Sequence, residues 1–315
     1  MIVPHEYIQL TDGSLLSVHT IFGDRDVIVG DIAFMPSRLG GYSYREGTFA
    51  KPYIDEGLGR RVTAPGVVRI RSALQRLPIA QYFPMKSVVT TDEISRVITG
   101  PEMSERLQAS GFFSRFQMVA EWALTQAGFA KDNFLIYPTG SAGLGSPTEP
   151  HDYDVVLRGS RNSLASLVSS LQALTLERPQ IRLFEYRRSW RLRLLTPHGI
   201  FCPFFASNDA DESEFSWMNN GNFVGERDVE LRGVVIDSLS SALTPSVFDV
   251  TSLDGEEIRV VDFDMRSRGD LACGELGLFR GTLVLAADRK LLFPHASVGL
   301  TNLNPPWDAF YGSER

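Results

Sequence analysis

The chain has 315 residues, of which 43% are hydrophobic and 22% charged, and its formal net charge is −7. This length allows two or three domains with substantial cores, while every apolar stretch is shorter than a membrane span requires. The pI near 5.4 argues against a chain-wide basic surface for nucleic acid. Because Cys202 and Cys273 are far apart and the first residues lack a signal-peptide pattern, we expect a soluble cytoplasmic protein without a disulfide framework, zinc site or membrane partner.

Residues 1–100 are predicted to form a β-rich N-terminal domain. The runs 12–22 and 26–36 are short apolar stretches separated by Gly23 and Asp24, a pattern that predicts a hairpin. The glycine- and aromatic-rich stretch 40–61 predicts an irregular loop, and 67–77 predicts a strand or a short helix.

Residues 101–222 are predicted to form an α/β domain. An apolar face with helical spacing predicts a helix that begins at a capping box of Ser114 and Gln117 and ends at Gly128. Residues 134–138 predict a fully buried strand, and 191–206 predict two strands joined at Pro197–Gly199. The first helical face consists of Phe116, Val119, Ala120, Ala123, Leu124 and Ala127, and a second helical face of Leu164, Leu167, Val168 and Leu171.

Residues 223–315 are predicted to return to β structure, because short apolar runs alternate with turn signals as in a small barrel or sandwich. Residues 302–315 predict an irregular end. The predicted fold class is therefore α+β, with a central α/β domain between a β-rich N-terminal domain and a small β-barrel-like C-terminal domain.

The stretch GSAGLGSPTEPHDYDVVL, from Gly140 to Leu157, carries the strongest functional signal. Side chains alternate along a strand, so Asp152, Asp154 and Val156 share one face while Tyr153, Val155 and Leu157 take the other. Two carboxylates spaced in this way can converge on one hard cation or on a pair of cations. Mg²⁺ is bound in proteins by one or two carboxylates together with substrate phosphates. The turn at Gly140 and Ser141 is suited to holding those phosphates through backbone amides.

The alternative is that the two aspartates merely begin an edge strand and that the glycines only form a turn. The combination of apolar strand, Gly-Ser, ten residues, Asp-x-Asp and an apolar run is rarer than any of its parts, which favours the functional interpretation. A dinucleotide site is not predicted from Gly140, Gly143 and Gly145, because the closing glycine and the following helix start are absent.

These residues resemble the signature of the DNA polymerase β nucleotidyltransferase superfamily, and are especially similar to the nucleotidyltransferases predicted in bacteria and archaea. The stretches 22–37, 234–250 and 279–293 resemble the β-rich flanking domains of that group. The resemblance implies that Gly140 and Ser141 hold a nucleoside triphosphate and that Asp152 and Asp154 bind Mg²⁺ or Mn²⁺. The motif positions are Gly140, Ser141, Gly145, Asp152, Asp154 and Gly159.

The sequence departs from that family at two places. By order along the chain, the family's third carboxylate falls at Cys202, where the residue type alone indicates a small buried hydrophobe. Asp209, Asp211 and Glu185 are possible substitutes for that carboxylate. The family's arginine soon after Gly-Ser is also absent from residues 142–144.

An arginine-rich stretch with interleaved aromatics is the local candidate for binding phosphate or a single strand. Such a charge run is more often a solvated sheet face, but it lies close to the proposed metal strand. Arg191 and Arg193 share a face if 190–195 is a strand, and we predict that they bind the nucleotide. The arginines are Arg178, Arg182, Arg187, Arg188, Arg191 and Arg193, and the aromatics are Phe184, Tyr186 and Trp190.

The resulting hypothesis is a Mg²⁺-dependent nucleotidyltransferase that moves a nucleoside monophosphate from an NTP or dNTP to an acceptor hydroxyl. The acceptor is open: a protein, a small molecule, or the end of an oligonucleotide grown without a template. Relatives in the superfamily recur in toxin–antitoxin and antiphage systems, so the resemblance implies a bacterial defence setting as one context. Two alternatives stay open, namely a catalytically impaired protein of the same fold that binds nucleotide or a protein partner, and a nucleic-acid-binding module.

Overall fold

The computed structural model contains both helices and β-sheets, with three large sheets and one of two strands among the described residues. Within that part of the chain, no helix has both the length and the apolar character needed to cross a membrane. The structure describes residues 2–38, 41–44, 47–55, 61–63, 68–69, 73–83, 85–145, 148–185, 188–208, 223–265, 267–286, 289–295 and 299–304.

The first large sheet lies within residues 7–98 and has seven strands in the order β4-β5-β3-β2-β1-β9, with β8 also pairing with β3. A separate two-stranded sheet joins β6 and β7. The strands are β1 (Tyr7–Leu10), β2 (Leu15–Phe22), β3 (Val27–Pro36), β4 (Tyr42–Tyr44), β5 (Gly47–Ala50), β6 (Tyr53–Asp55), β7 (Arg61–Thr63), β8 (Ser87–Thr90) and β9 (Ile94–Ile98).

The predicted hairpin is confirmed, because β2 and β3 pair antiparallel around a turn at Gly23–Arg25. The prediction of an irregular loop over 40–61 is wrong where this stretch is described, since β4, β5 and β6 lie within it. Its aromatics, including Tyr44 and Phe49, pack into a core and thereby hold short strands despite the glycines. The described part of 67–77 is neither strand nor helix: Ala73 and Leu77 belong to a turn that packs against the C-terminal sheet.

The second sheet has five strands in the order β10-β11-β14-β13-β12, and β11 runs parallel to β14 while its other pairs are antiparallel. Both predicted helices are present, together with an earlier helix and a single helical turn. The elements are α1 (Gly100–Ala109), α2 (Phe113–Gln126), β10 (Leu135–Pro138), α3 (Gly140–Gly143), β11 (Asp152–Gly159), α4 (Arg161–Glu177), β12 (Arg182–Glu185), β13 (Arg188–Thr196) and β14 (Gly199–Ser207).

Local details of this region differ from the predictions in two places. Helix α2 begins after Phe112 without a side-chain cap, so the predicted capping box is wrong. Its end is as predicted, because Gly128 follows with a φ of 83° in the left-handed region that glycine favours. The strand β10 lies at the sheet edge and leaves Leu135 55% exposed, so it is not the fully buried strand expected from its composition.

The third sheet has six strands, and it closes on itself because β15 pairs with both β16 and β18. The barrel-like form predicted for residues 223–315 is thus present in outline over the described part of that range, with a core of its own inside the ring. The strands are β15 (Phe223–Ser240), β16 (Ser246–Ser252), β17 (Glu257–Asp262), β18 (Leu276–Ala286), β19 (Lys290–Pro294) and β20 (Leu300–Asn302).

The three sheets share apolar cores rather than standing apart. Helices α2 and α4 pack on one face of the five-stranded sheet. Val156 and Ala206, on the other face, pack with the N-terminal sheet. Val261 and Phe293 of the C-terminal sheet pack with Val29 of β3. Strands β11 and β14 are therefore covered on both faces. The predicted domain boundaries near residues 100 and 222 stay a prediction.

Candidate functional site

The structure brings Asp152, Asp154 and Cys202 together in one cluster. Strands β11 and β14 run in parallel register, with Asp154 opposite Cys202. One ligand atom from each of the three side chains lies within 4.8 Å of the other two. The position that the sequence assigned to the third ligand is thus beside the two aspartates in space.

The alternation of β11 explains why both carboxylates point to the same side. Tyr153, Val155 and Leu157 are buried in the core with α2 and α4, which confirms the apolar face predicted for them. Asp152 and Asp154, on the opposite face, are each half-buried. Burial of the apolar set fixes the register, because a shift by one residue would place the carboxylates in that core.

The glycine turn lies directly against the second aspartate. The Thr139 amide donates a hydrogen bond to the Asp154 carbonyl at 2.9 Å. Gly140 has a φ of 63° in the left-handed region, and a Cβ at that position would overlap the Asp154 carboxylate. A glycine is therefore needed here so that the carboxylate can pack against the turn. Ser141 follows in α3 and is half-buried.

Two residues from distant elements hold this turn in place. The Thr139 hydroxyl donates to the His5 carbonyl at 2.9 Å, and the buried His5 ring is hydrogen-bonded with the Phe205 carbonyl through Nε2 at 3.2 Å. Burial lowers the pKa of His5 to about 3, so its ring is neutral at pH 7. On the far side of the turn, Arg106 of α1 donates to the Leu144 carbonyl at 3.2 Å.

Asp154 and Cys202 hold their protons more tightly than free side chains do. Burial and, to a smaller extent, the nearby charge of Asp152 raise the pKa of Asp154 to about 7. Burial also raises the pKa of the Cys202 thiol to about 12. In the absence of a bound cation, the cluster therefore carries less than two negative charges near neutral pH.

Of the two β13 arginines that the sequence predicts to bind nucleotide, Arg193 lies beside the acidic cluster. Its Nη2 donates to Asp152 Oδ2 at 2.6 Å, and the arginine is 9% exposed while the aspartate is 30% exposed. The guanidinium also lies over the Trp190 ring, 4.9 Å from its centroid. A cation is thus fixed beside the first carboxylate.

Two further cations were not found from the sequence. Arg268 follows β17 in the C-terminal region and its Nη2 lies 3.5 Å from Cys202 Sγ. Lys51 follows β5 in the N-terminal sheet, and its positive charge lowers the pKa of Asp154. Neither residue stands in a motif, and each comes from a segment far from β11 along the chain. No local signal in the sequence could have identified them.

The other members of the arginine run have mainly structural partners. Arg191 is buried and binds both carboxylate oxygens of Glu275, at 2.7 and 3.0 Å, rather than the acidic cluster. Arg182 is buried and donates to the Thr175 carbonyl at 2.8 Å. The interpretation of the run as a solvated face is therefore wrong for Arg182, Arg191 and Arg193, because each is buried and donates a hydrogen bond within the protein.

Several residues singled out from the sequence cannot be placed in or outside the site. Asp209, Asp211, Tyr186 and Arg187 lie outside the described residues, and the side chains of Glu185 and Arg188 are likewise not described. The predicted substitutes for a third carboxylate therefore stay predictions.

The donor set is compatible with a divalent cation. Ligand atoms of two carboxylates and one thiol lie within 4.8 Å of one another, and the missing side chain of Gly140 leaves room for the Asp154 carboxylate. Mg²⁺ takes oxygen ligands and would use the two aspartates, whereas the sulfur of Cys202 suits a softer ion.

No protein-family model, curated protein or solved structure matches the chain. The resemblance to polymerase β-like nucleotidyltransferases consequently depends on the sequence stretches alone and stays a prediction.

Proposed function

We propose that the chain is a nucleotidyltransferase with a polymerase β-like central domain, which transfers a nucleoside monophosphate from a triphosphate to a hydroxyl. The observation that carries this proposal is the clustering of Asp152, Asp154 and Cys202 beside the Gly140 turn. A strand, a glycine turn, a carboxylate pair and a third ligand on the next parallel strand meet at one point, in the order that the family resemblance implies.

The residues of this cluster would each have a distinct role. Asp152 and Asp154 would hold Mg²⁺ or Mn²⁺, which when bound neutralises charge on the attacking and leaving oxygens of the phosphate. The turn at Gly140 and Ser141 would position the triphosphate next to these carboxylates. The helical turn is short, so positioning rather than a helix dipole is its contribution.

Positive charge for the triphosphate would come from side chains that converge from three regions. Arg193 lies on the cluster's own sheet, Lys51 belongs to the N-terminal region, and Arg268 comes from the C-terminal region. Fixed cations that surround the phosphates stabilise the charge that develops in the transition state. This convergence supports phosphate chemistry even though the family's arginine after Gly-Ser is absent.

A second candidate is nucleotide binding without turnover. It is favoured by the thiol at position 202, which replaces a carboxylate, and by the ion pair that already occupies one oxygen of Asp152. A nucleic-acid-binding module has less support, because the buried arginines of β12 and β13 bond within the protein.

The test is incubation of the purified chain with each labelled NTP and dNTP, in Mg²⁺ and separately in Mn²⁺, with products resolved by size and by mass. We expect a labelled product in at least one combination, formed on the chain itself, a small hydroxyl compound or an oligonucleotide. Asp154→Asn is the inactive control, and Asp249→Asn, which alters an aspartate paired with Arg259 in the barrel, is the matched control. Triphosphate binding without any product would support the second candidate instead.

A further inference from the structure

The third ligand atom of the cluster is sulfur, not oxygen. Cys202 is 5% exposed, and its Sγ lies within 4.8 Å of ligand oxygens from Asp152 and Asp154. Thiolates are soft ligands that favour zinc-like cations, whereas Mg²⁺ is bound almost entirely through oxygen. The spacing of the two cysteines along the chain predicted no zinc site, but that argument did not include the carboxylates that complete this set.

We infer that Asp152, Asp154 and Cys202 bind one thiophilic divalent cation, of the zinc and cobalt class, with Cys202 Sγ as a direct ligand. This inference replaces the Mg²⁺ or Mn²⁺ that the family resemblance implies at the proposed transferase site with a softer cation. It relies on the proposed function only for the use of the cation in phosphate chemistry, and its binding follows from the donor atoms alone.

The distances in the cluster suit a small tetrahedral ion. Zinc bonds of about 2.0–2.3 Å to oxygen and sulfur place tetrahedral ligand atoms roughly 3.4–3.8 Å apart. The present atoms lie within 4.8 Å of one another, so side-chain rotations of about an ångström would close the site. Three protein ligands leave the fourth position for water or a phosphate oxygen, which is the pattern of catalytic rather than structural zinc.

The surroundings of Cys202 fit a metal-bound thiolate. Binding would break the S–H bond, release the proton to solvent and form the bond between sulfur and the metal. Arg268 Nη2 lies 3.5 Å from the sulfur, and its Nε donates to the Pro203 carbonyl at 2.9 Å. The guanidinium is thus held where it can donate to the thiolate and offset its charge, as residues behind metal ligands commonly do.

The experiment is a Co²⁺ titration of the metal-free chain without nucleotide, followed by near-ultraviolet absorption. A sulfur-to-cobalt charge-transfer band is expected in the wild type and in Cys273→Ser, because Cys273 is exposed and distant from the cluster along the chain. The band should disappear in Cys202→Ser and persist in excess Mg²⁺. Thermal melting of each variant checks that it is folded.

Asp154→Asn is the second variant, because it leaves the thiol in place and removes one carboxylate charge. We expect its Kd for Co²⁺ to rise roughly tenfold or more, since a protein ligand is weakened. Cobalt binding without a charge-transfer band, or a band that survives Cys202→Ser and vanishes in Cys273→Ser, would overturn the inference.

The result of the Co²⁺ titration can be distinguished from the result of the nucleotidyl-transfer assay. A Cys202-dependent band without any nucleotidyl product would uphold the metal assignment and contradict the proposed function. Nucleotidyl transfer in Mg²⁺ that is unchanged by Cys202→Ser, with no charge-transfer band in the wild type, would uphold the proposed function and contradict the metal assignment.

Discussion

Arg191 and Arg193 lie two residues apart on the same strand, and both are buried, yet their ion pairs differ in kind. Arg191 binds both oxygens of Glu275 and also donates to the Asp270 carbonyl at 2.6 Å. Its partners precede β18, so this pair fastens the central sheet to the barrel. Arg193 Nη2 donates a short bond to Oδ2 of Asp152, a residue of the proposed metal cluster, and the aspartate keeps 30% of its side-chain surface exposed.

The contrast teaches that burial and charge alone do not identify a functional arginine. An ion pair that uses both oxygens of its carboxylate is complete without a ligand, whereas a pair whose carboxylate is partly exposed can be exchanged when a ligand binds. Stability should therefore depend mainly on the Arg191 pair and activity mainly on the Arg193 pair.

The largest expected effect is a difference in nucleotidyl-transfer activity between variants of Asp152 and Glu275, the carboxylate partners of Arg193 and Arg191. Asp152→Asn should reduce nucleotidyl transfer below detection, because it removes a metal ligand that no neighbour replaces. Glu275→Gln should leave kcat/KM close to the wild-type value, since this carboxylate touches no reacting group. Transfer assays on both folded variants measure the difference, and activity retained by Asp152→Asn would contradict the assigned role.

A second large effect concerns stability. Arg191→Met leaves the carboxylate of Glu275 largely buried without its partner, and we expect a loss of about 3–5 kcal/mol in the free energy of unfolding. Arg193→Met should cost roughly 1 kcal/mol, because the aspartate it leaves is partly exposed to water. Urea unfolding measures both.

A double variant tests whether the stability lost in Arg191→Met comes from the unpaired Glu275 carboxylate. Arg191→Met combined with Glu275→Met should recover most of the lost stability, since no unpaired buried charge remains. Equal losses at positions 191 and 193 would remove the distinction between the two pairs.

A smaller effect is expected on substrate binding. Arg193→Gln should raise the KM for the nucleoside triphosphate roughly tenfold, which corresponds to about 1.4 kcal/mol, because a cation beside the phosphates is lost. Lys51→Gln tests the second cation in the same assay, and exposed Lys131→Gln is the control. An unchanged KM in Arg193→Gln would mean that this arginine only orients Asp152.

The smallest expected effect is the pH dependence of folding stability in the metal-free chain. The folded-state pKa of Asp154 is raised to about 7, so the folded chain keeps a proton that the unfolded chain releases. The stability of the folded state should therefore fall as pH rises from about 4 to 7. Asp262 has a pKa raised to about 7 by burial and contributes with the same sign.

Asp154→Asn should make that pH dependence shallower without abolishing it, because Asp262 remains. Unfolding curves in EDTA between pH 4 and 8 measure the slope. A slope identical to that of the wild type would show that the Asp154 carboxyl is ionised throughout this range.

The site was predictable to the extent that it depends on local periodicity. Asp152 and Asp154 could be assigned to one face because strand alternation is fixed by the apolar residues around them. Cys202 was expected beside them only because the family resemblance implies a third ligand on a later strand, and that strand is the parallel neighbour of β11. The faces of α2 and α4 were predictable from periodicity, since their apolar spacing is packed as expected.

The remaining features depend on contacts between distant segments. Lys51 and Arg268 approach the cluster from other sheets, and nothing next to them in the sequence marks this position. Alternation showed that Arg191 and Arg193 share a face, but it could not say that Glu275 would meet the first of them. The strands β4 and β5 were missed because aromatic packing, involving Tyr44 and Phe49, outweighs the turn preference of nearby glycines.

The position of Arg268 has a consequence for the order of events during synthesis. The central strands are made before it, but Arg268 meets Cys202 from 66 residues further along the chain. On the ribosome, the amino-terminal and central segments emerge first and begin to fold while this arginine is still inside the exit tunnel. In a nascent chain, Asp152 and Asp154 would thus be exposed to solvent before the guanidinium of Arg268 can reach Cys202. The net charge around the cluster would reach its final value only after most of the barrel has been translated.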